Sequence, residues 1–331
     1  MATYFKVDVD VETGSVPNLK AAGHHRYATD PSTRVWLMAY RINDGAVKLW
    51  RCGDPVPGEL IEAAADPACE WHAHNAQFER AIFREILTPA GFPDIPLERW
   101  RCTMARALAM ALPAKLELLC EALGFENRKG DASAMHKLAK PRKPRKGEDP
   151  NQLYWNDTPE NLEALGRYCI QDVECESEAD RKLLPLSESE QELWFIDQRI
   201  NDRGFAIDRD LTSAAIPILD AAGRELIAEF QGLTGIESPG CVAKLIAWLA
   251  GHDCKIDDLQ KKTVSAALTR KDLTSVARRA LEIRQGAAHA SAGKAEALEA
   301  WCCDDGRVRG TLQFHGAATG RWAAATELPP R

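Results

Sequence analysis

Six residues near the N-terminus constrain the fold more than any others: Val7-Asp8-Val9-Asp10-Val11-Glu12 alternates apolar and acidic side chains without a break. A strand sends successive side chains to opposite faces, so this run puts three valines on one side of a sheet and three carboxylates on the other. A helix would scatter both sets around its axis. The valines demand a packed core beneath them. The carboxylates, about 7 Å apart from one to the next, raise one another's pKa unless a cation sits among them. The acidic face is therefore either solvated or a metal site, and a strand whose back is packed into a core favours the second.

The surrounding sequence builds outward from that strand. Residues 4–52 read as β: the segments 34–42 and 46–52 flank the turn Asn43-Asp44-Gly45, which predicts a three-stranded antiparallel meander. A short strand over 70–74 leads into a helix over 77–87 with Phe78, Ile82 and Ile86 on one face, and a strand at 100–102 precedes helices at 104–111 and 115–123. Strands followed by alternating helices make an α/β pattern. Between 129 and 152 the apolar periodicity fails, and Lys140-Pro141-Arg142-Lys143-Pro144-Arg145-Lys146 predicts an extended, exposed loop. That loop is either a solvated surface or a contact for a nucleic-acid backbone. Thr158, Pro159 and Glu160 supply an N-cap, a first-position proline and a first-turn acid for a helix running to about 184.

Pro185 and the polar run 187–190 mark a boundary, and the length of 331 residues suits two domains, 1–186 and 187–331. The second is nearly all helical. Leu193, Ile196 and Ile200 line one face of a helix that stops at Gly204, Asp208 starts another, and Pro239 lies just ahead of one containing Leu245 and Leu249. The segment 273–300 is helical by composition, with Gly286 and Gly293 as weak points, and β structure returns at 307–314. There is no internal repeat.

Composition excludes several classes. With 45% hydrophobic and 27% charged residues the chain is globular rather than disordered. It contains no apolar run of the roughly 18–20 residues that a membrane span needs, and its N-terminus reaches an acidic segment without a signal-like apolar stretch. Ten cysteines, two of them adjacent at Cys302-Cys303, form no regular framework and read as reduced thiols of a cytoplasmic protein. A net charge of −7 excludes a wholly basic nucleic-acid binder and leaves room for basic patches. Cys52, Cys69, His72 and His74 form a weak zinc pattern, lacking a second close-spaced cysteine pair.

Three constellations carry chemistry. On a strand, Asp10 and Glu12 project from one face and can meet one metal ion, with Asp8 on the same face. At the next strand-to-helix passage stands His74-Asn75-Ala76-Gln77-Phe78-Glu79. There Asn75 serves either as a helix cap or at a site, and Glu79 either as an ordinary first-turn acid or as a third carboxylate aimed at the first strand. On the long helix, Tyr168 and Asp172 lie four residues apart on one face. They are either a half-buried aromatic beside a surface acid, or a phenol that orients water beside a metal ligand.

Taken in order, Asp10-x-Glu12, Asn75-x-x-Phe78-Glu79 and Tyr168-x-x-x-Asp172 resemble the proofreading 3′–5′ exonuclease domain of family A DNA polymerases, in the Tyr-containing DEDD class. The resemblance implies a ribonuclease-H-like fold, catalytic roles for Asp10, Glu12, Glu79, Tyr168 and Asp172, and two divalent metal ions, Mg²⁺ or Mn²⁺. Two such ions about 3.5–4 Å apart generate a nucleophile near neutral pH and stabilise charge on the attacking and leaving oxygens. Asp10 is expected to bridge them, Glu12 and Asp172 to complete one site, and Glu79 to anchor the other through water. The second motif usually ends in Asp, so Glu79 is a departure that bears on metal spacing and rate. Phe78 suits the core better than base stacking.

The second half extends the resemblance. Leu193-Trp194 and the run from Ile200-Asn201-Asp202-Arg203-Gly204 to Asp208 look like the entry to the polymerase region. Ser238-Pro239 and Ala280-Leu281-Glu282-Ile283-Arg284-Gln285 fit the helical thumb. Asp305-Gly306-Arg307 and Thr319-Gly320-Arg321-Trp322 fit the approach to the palm, especially in phage-type members. After Trp322 only a short segment ending Leu328-Pro329-Pro330-Arg331 remains, so the palm and fingers are missing and no polymerase activity is expected of this chain alone.

The implied function is hydrolysis of DNA 3′ ends to 5′-mononucleotides, in the cytoplasm of a bacterial or phage-infected cell. Single-stranded or primer-template DNA is the expected partner, with no membrane role and a separate polymerase or replication protein as a further partner. Asn75, Phe78, the basic loop (Lys140, Arg142, Lys143, Arg145, Lys146) and Arg284, Arg307 and Arg321 are the candidate DNA contacts. A catalytically weakened DNA-binding remnant and a ribonuclease-D-like RNA exonuclease are the alternatives.

Overall fold

The strand Lys6–Gly14 (β1) forms the middle of a five-stranded sheet, and its alternation sorts the two faces as the sequence requires. The computed structural model describes residues 4–125, 130, 132–288, 291–317 and 319–324; the terminal Leu328-Pro329-Pro330-Arg331 lies outside them. After β1 come α1 (Leu19–Thr29), β2 (Arg34–Ile42), β3 (Lys48–Arg51), α2 (Gly58–Ala65), β4 (Glu70–Ala73) and α3 (Ala76–Ile82), which continues as a π-helical turn over Phe83–Leu87. Then follow β5 (Trp100–Cys102), α4 (Thr103–Ala109), α5 (Leu116–Ala122), α6 (Ser133–Leu138), α7 (Pro159–Lys182), α8 (Glu188–Arg203) and β6 (Phe205–Ala206). The sheet order is β3-β2-β1-β4-β5. The expected meander is present, with β1, β2 and β3 antiparallel, while β4 and β5 run parallel to β1.

Val7, Val9 and Val11 are buried in one apolar layer with Leu60 of α2, Trp71, Ile82, Phe83 and Trp100. The acidic face is covered by α7, whose Leu165, Cys169 and Val173 pack with Leu37 and Ala39 of β2. Gly166 lets the helix lie this close, because a Cβ there would stand 2.8 Å from Leu49 Cδ2 of β3. The cap of α7 is the expected one: the Thr158 side chain accepts a hydrogen bond from the Asn161 amide.

Three parts of the sequence reading change. First, α1 interrupts the segment read as wholly β. Asn18 caps it, but Gly23, at φ +70°, breaks it in two, so no continuous helical stripe appears in the sequence. Second, α6 lies in the stretch without periodicity; at six residues it is under two turns, too short to show a pattern. Third, α8 is rotated relative to expectation. Leu193, Ile196 and Ile200 are exposed, and Trp194, Phe195, Gln198 and Asn201 are buried. The adjacent aromatic pair Trp194 and Phe195 takes the core instead. The polar groups on that face are satisfied there: Asp197 accepts hydrogen bonds from Trp322 Nε1 and Gln198, and Asn201 donates to the Leu312 carbonyl.

The chain divides into two compact units, Met1–Ala206 with Trp301–Pro330, and Ile207–Ala300 with Arg331. Residue 186 falls inside the first, because Trp194 and Phe195 of α8 and Phe314 near the C-terminus join the valine-face core. The first unit also holds the short strands β7 (Arg307–Val308), β8 (Leu312–Gln313) and β9 (Ala323–Ala324), with β6 paired to β7 and β8 to β9. The helices of the second are α9 (Arg209–Thr234), α10 (Val242–Ala250), α11 (Lys261–Leu268), α12 (Ser275–Ala288) and α13 (Ser291–Trp301), the last ending at the unit's edge. Asp208 caps α9 as expected, and Phe230, Leu245, Leu249, Ala277 and Leu281 form a separate core. Among the described residues no helix is long and apolar enough to cross a membrane.

Candidate active site

The register of the sheet opens the site. β4 pairs with β1 at Lys6, Val7 and Asp8, then ends at Ala73, so Asp10–Glu12 run on beyond its last paired residue. The turn that follows is fixed by His74 and Asn75. His74 Nε2 donates to the Ala114 carbonyl at 2.8 Å, which leaves Nδ1 to accept from Thr103 Oγ1 at 3.0 Å. Asn75 adopts the left-handed conformation, φ 73° and ψ 48°, that Asn tolerates better than most residues. Its side chain makes no helix-capping hydrogen bond, which removes the capping role allowed by the sequence. The turn starts α3, which carries Glu79 toward Asp10 and Glu12.

Glu79 is buried, and its Oε2 has no hydrogen-bond partner among the described residues. Burial, and then the charges of Asp10 and Glu12, push its carboxyl well above the usual range. Cys169 of α7 closes on the same place: its Sγ is 3.2 Å from Asp10 Oδ2, and ligand atoms of Asp10, Glu12 and Cys169 all lie within 4.8 Å of one another. Burial and the neighbouring carboxylates keep the Cys169 thiol protonated.

The path of α7 is fixed at both ends. Cys169 meets Asp10, and Asp180, eleven residues on, meets Lys6, four residues back along β1. Helix and strand therefore run antiparallel. At about 1.5 Å per helical and 3.3 Å per strand residue the two paths, about 16 and 13 Å, agree. Tyr168 and Asp172 are both buried on α7, one residue before and three after Cys169, and the charge of Asp172 acts on Cys120 and Cys175.

At the opposite end cations pair with Asp8 and Asp180, beside a buried Glu176 whose carboxyl is pushed up by burial and by those two charges. Lys6 Nζ is 3.1 Å from both Asp8 Oδ1 and Asp180 Oδ2, and Arg106 pairs with Asp180. His72 bridges Asp180 Oδ1 at 3.1 Å and Glu70 Oε2 at 3.3 Å. Burial would lower the pKa of Lys6, but the charges of Asp8, Asp180 and Glu176 outweigh it and hold the ammonium protonated. Sequence reasoning found Asp8 and missed Lys6, Cys169 and Tyr27. Tyr27 lies in the unrecognised α1, where its hydroxyl pairs with Thr13 at 2.9 Å and its ring is 6.2 Å from that of Phe78. The zinc pattern is not assembled: Cys52 is exposed, and His72 and His74 serve the hydrogen bonds above.

The basic candidates separate into used and exposed groups. Arg142 is tied to Glu148 by bonds of 2.6 and 2.7 Å and lies over the Tyr154 ring. Arg307 donates to the carbonyls of Arg203 and Gly204 at the end of α8. Lys140, Lys143, Arg145, Lys146 and Arg321 are exposed, Arg284 on α12 is half-buried, and Phe78 is half-buried against the sheet core.

The fold and site define a class: a mixed α/β sheet unit with a buried acidic centre on its middle strand, joined to a helical unit. Comparison supplies the relatives. Over 330 residues, 96% of the chain, it is 36% identical to the DNA polymerase of Bacillus phage SP02. The chain is thus similar to a phage DNA polymerase over nearly its whole length, in accord with the resemblance in its motifs. It spans about half the length of the curated relative it matches, 49%. No protein-family model matches the chain. The solved POL domain of Pol1 from M. smegmatis, in complex with DNA primer-template and dNTP, aligns with 96% of this chain and 51% of its own, at 14% identity and a TM-score of 0.54, a likeness of fold. Brucella melitensis NrnC aligns over 59% of the chain and 82% of its own, at 14% identity and a TM-score of 0.33, too low to bear on the fold.

Proposed function

We propose that the chain is a divalent-metal-dependent 3′–5′ exonuclease acting on DNA, the proofreading portion of a family A polymerase. Its sheet unit is the ribonuclease-H-like nuclease and its helical unit the thumb. The observation that carries this reading is the convergence of Asp10, Glu12 and Glu79 where β4 stops and the face of β1 opens. The donors fit Mg²⁺ or Mn²⁺: they are hard carboxylate oxygens, and the buried Glu79 Oε2 lacks a hydrogen-bond partner among the described residues. Asp10, Glu12, Glu79 and Asp172 would hold the metal, which when bound lowers the pKa of water and stabilises charge on the reacting oxygens.

The chain's own groups do the rest. Tyr168, one turn before Asp172, orients the attacking water through its phenol. Asn75, whose side chain is not spent on capping, and the half-buried Phe78 hold the terminal nucleotide. The basic loop follows α6, whose end is anchored to the exit of β1 by the Ser15 amide donating to the Ala139 carbonyl at 3.1 Å. In this reading the exposed Lys140, Lys143, Arg145 and Lys146, which follow that anchor in the chain, attract a phosphate backbone.

Purified protein should release 5′-mononucleotides from single-stranded DNA in Mg²⁺ or Mn²⁺. The Asp10→Ala/Glu12→Ala double variant should lose more than the roughly 10²–10³-fold that one preorganised charge-stabilising group supplies. Equal hydrolysis by the two proteins overturns the site. The Glu at position 79, whose carboxyl is pushed up by burial and by Asp10, favours one second reading, a DNA-binding module with weak catalysis. DNA binding without hydrolysis in Mn²⁺ would establish it.

A further inference from the structure

We propose that Cys169 is a positioning residue for Asp10: its thiol aims the carboxylate and, being neutral, does not itself cancel the charge. The metal-binding part of this inference stands on geometry, and its catalytic consequence rests on the exonuclease reading above.

Cys169 is fully buried in the layer between α7 and the sheet, packed with Trp36, Leu37, Ala39 and Val173. Its Sγ is 3.2 Å from Asp10 Oδ2 and 3.4 Å from the Asp10 carbonyl oxygen. A thiol carries one hydrogen, and the nearer, charged carboxylate oxygen is the stronger acceptor, so the S–H donates there. This contact reaches between residues 159 apart in sequence and joins the strand that bears Asp10 to the helix that bears Tyr168 and Asp172. It therefore fixes the carboxylate and the helix in one geometry.

The chemistry of the donor matters. A lysine or arginine at 169 would pair with Asp10 and neutralise it, as Lys6 does for Asp8. A thiol behaves as a small apolar side chain with a weak neutral donor, so it packs in the apolar layer and orients the acid without spending its charge. Donors of this kind behind a metal ligand typically govern metal affinity by about 10–100-fold.

The test uses the full chain without DNA. Mn²⁺ affinity is measured by calorimetry or by the electron-paramagnetic signal of free Mn²⁺, with metal-free melting temperature recorded alongside. Cys169→Ser keeps a donor, whereas Cys169→Val, larger by about one methyl group, fills the site and removes it. Cys169→Val should weaken Mn²⁺ binding about 10–100-fold, with Cys169→Ser staying within about threefold of the parent. A purely packing role would show in the melting temperature and would not be rescued by Ser. Should the valine unfold the chain, Cys169→Ala carries the same comparison. The proposal is overturned if the donorless variant binds Mn²⁺ like the parent, or if Cys169→Ser falls as far as it does. If the parent binds Mn²⁺, Asp10→Asn abolishes that binding, and the parent still hydrolyses no DNA, the exonuclease reading fails while the role of Cys169 is decided by the affinities. If the parent binds no Mn²⁺, both fail.

Discussion

β1 and α7 lie side by side, and the two ends of their contact carry similar acids to opposite effect. At one end Asp8 and Asp180 are held by Lys6, Arg106 and His72. At the other, Glu79 is faced by Asp10 and Glu12, and a neutral thiol donates a hydrogen bond to Asp10. Alternation along one strand produces both ends. What separates them is the partner that distant parts of the chain bring to the strand's acids: cations beside Asp8 at one end, a neutral thiol beside Asp10 at the other.

The largest effect that can break this comparison is on stability. Lys6→Met removes the ion pair of a fully buried Asp8, and stripping one partner from a buried pair costs about 3–5 kcal/mol. The low end is expected, because Asp180 keeps Arg106 and His72. Glu79→Gln should do the opposite in metal-free protein at neutral pH, raising stability by about 1 kcal/mol because an acid disfavoured by its surroundings becomes neutral. Urea unfolding of both variants in chelator checks this. Destabilisation by Glu79→Gln would mean that the acidic end is neutralised after all.

Next in size is the pH dependence. Burial would raise Asp180, but the hydrogen bond from His72 and the charges of His72, Lys6 and Arg106 hold it well below its ordinary 3.8. Its stabilisation is present above that value and lost as pH falls through the folded pKa. Burial would lower His72, yet hydrogen bonds to Asp180 and Glu70 raise it above 6.5. That contribution is complete below 6.5 and lost as pH rises through the folded pKa. Glu79, also raised, gives a term lost as pH climbs above 4.5. His72 and Glu79 therefore each contribute a decline in stability of the metal-free protein toward pH 8, by about 1.4 kcal/mol for every tenfold difference in proton affinity between the folded and unfolded chain. The buried His24 and His25, lowered by burial, contribute a term that runs the other way below 6.5. His72→Gln and Glu79→Gln should each flatten that decline in thermal melts from pH 4 to 8, and an unchanged slope in both would remove these groups from the account.

These two ends explain what the sequence could reveal. The strand of Asp10 and Glu12 and the helix of Tyr168 and Asp172 were legible because local periodicity marks them, and Thr158 announced α7 by its cap. Lys6 was not legible, because its partner Asp180 is 174 residues away and a lone lysine on a strand carries no local signal. Cys169 was hidden in the same way, inside a motif whose neighbours drew attention. On α8 local periodicity misled: the stripe Leu193, Ile196 and Ile200 is regular, but Trp194 and Phe195 beside it took the core. α1 was lost because Gly23 breaks the pattern that would have marked it.

The smallest expected effect carries the same contrast to the basic loop, where one arginine is neutralised and its neighbours are exposed. Arg142 spends its guanidinium on Glu148, the Trp155 carbonyl and the Tyr154 ring, and Glu148 is held down at about 2, first by that arginine. Lys140, Lys143, Arg145 and Lys146 extend into solvent. Replacing these four by Gln should leave the melting temperature unchanged, weaken single-stranded DNA binding and reduce its salt slope by about 0.7 for each phosphate no longer neutralised. Arg142→Gln should leave the salt slope intact and instead loosen the loop, read as faster proteolysis between residues 140 and 148. A salt slope that falls with Arg142→Gln and not with the four lysine and arginine changes would reverse the assignment, making the buttressed arginine the DNA contact and the exposed residues a solvated surface.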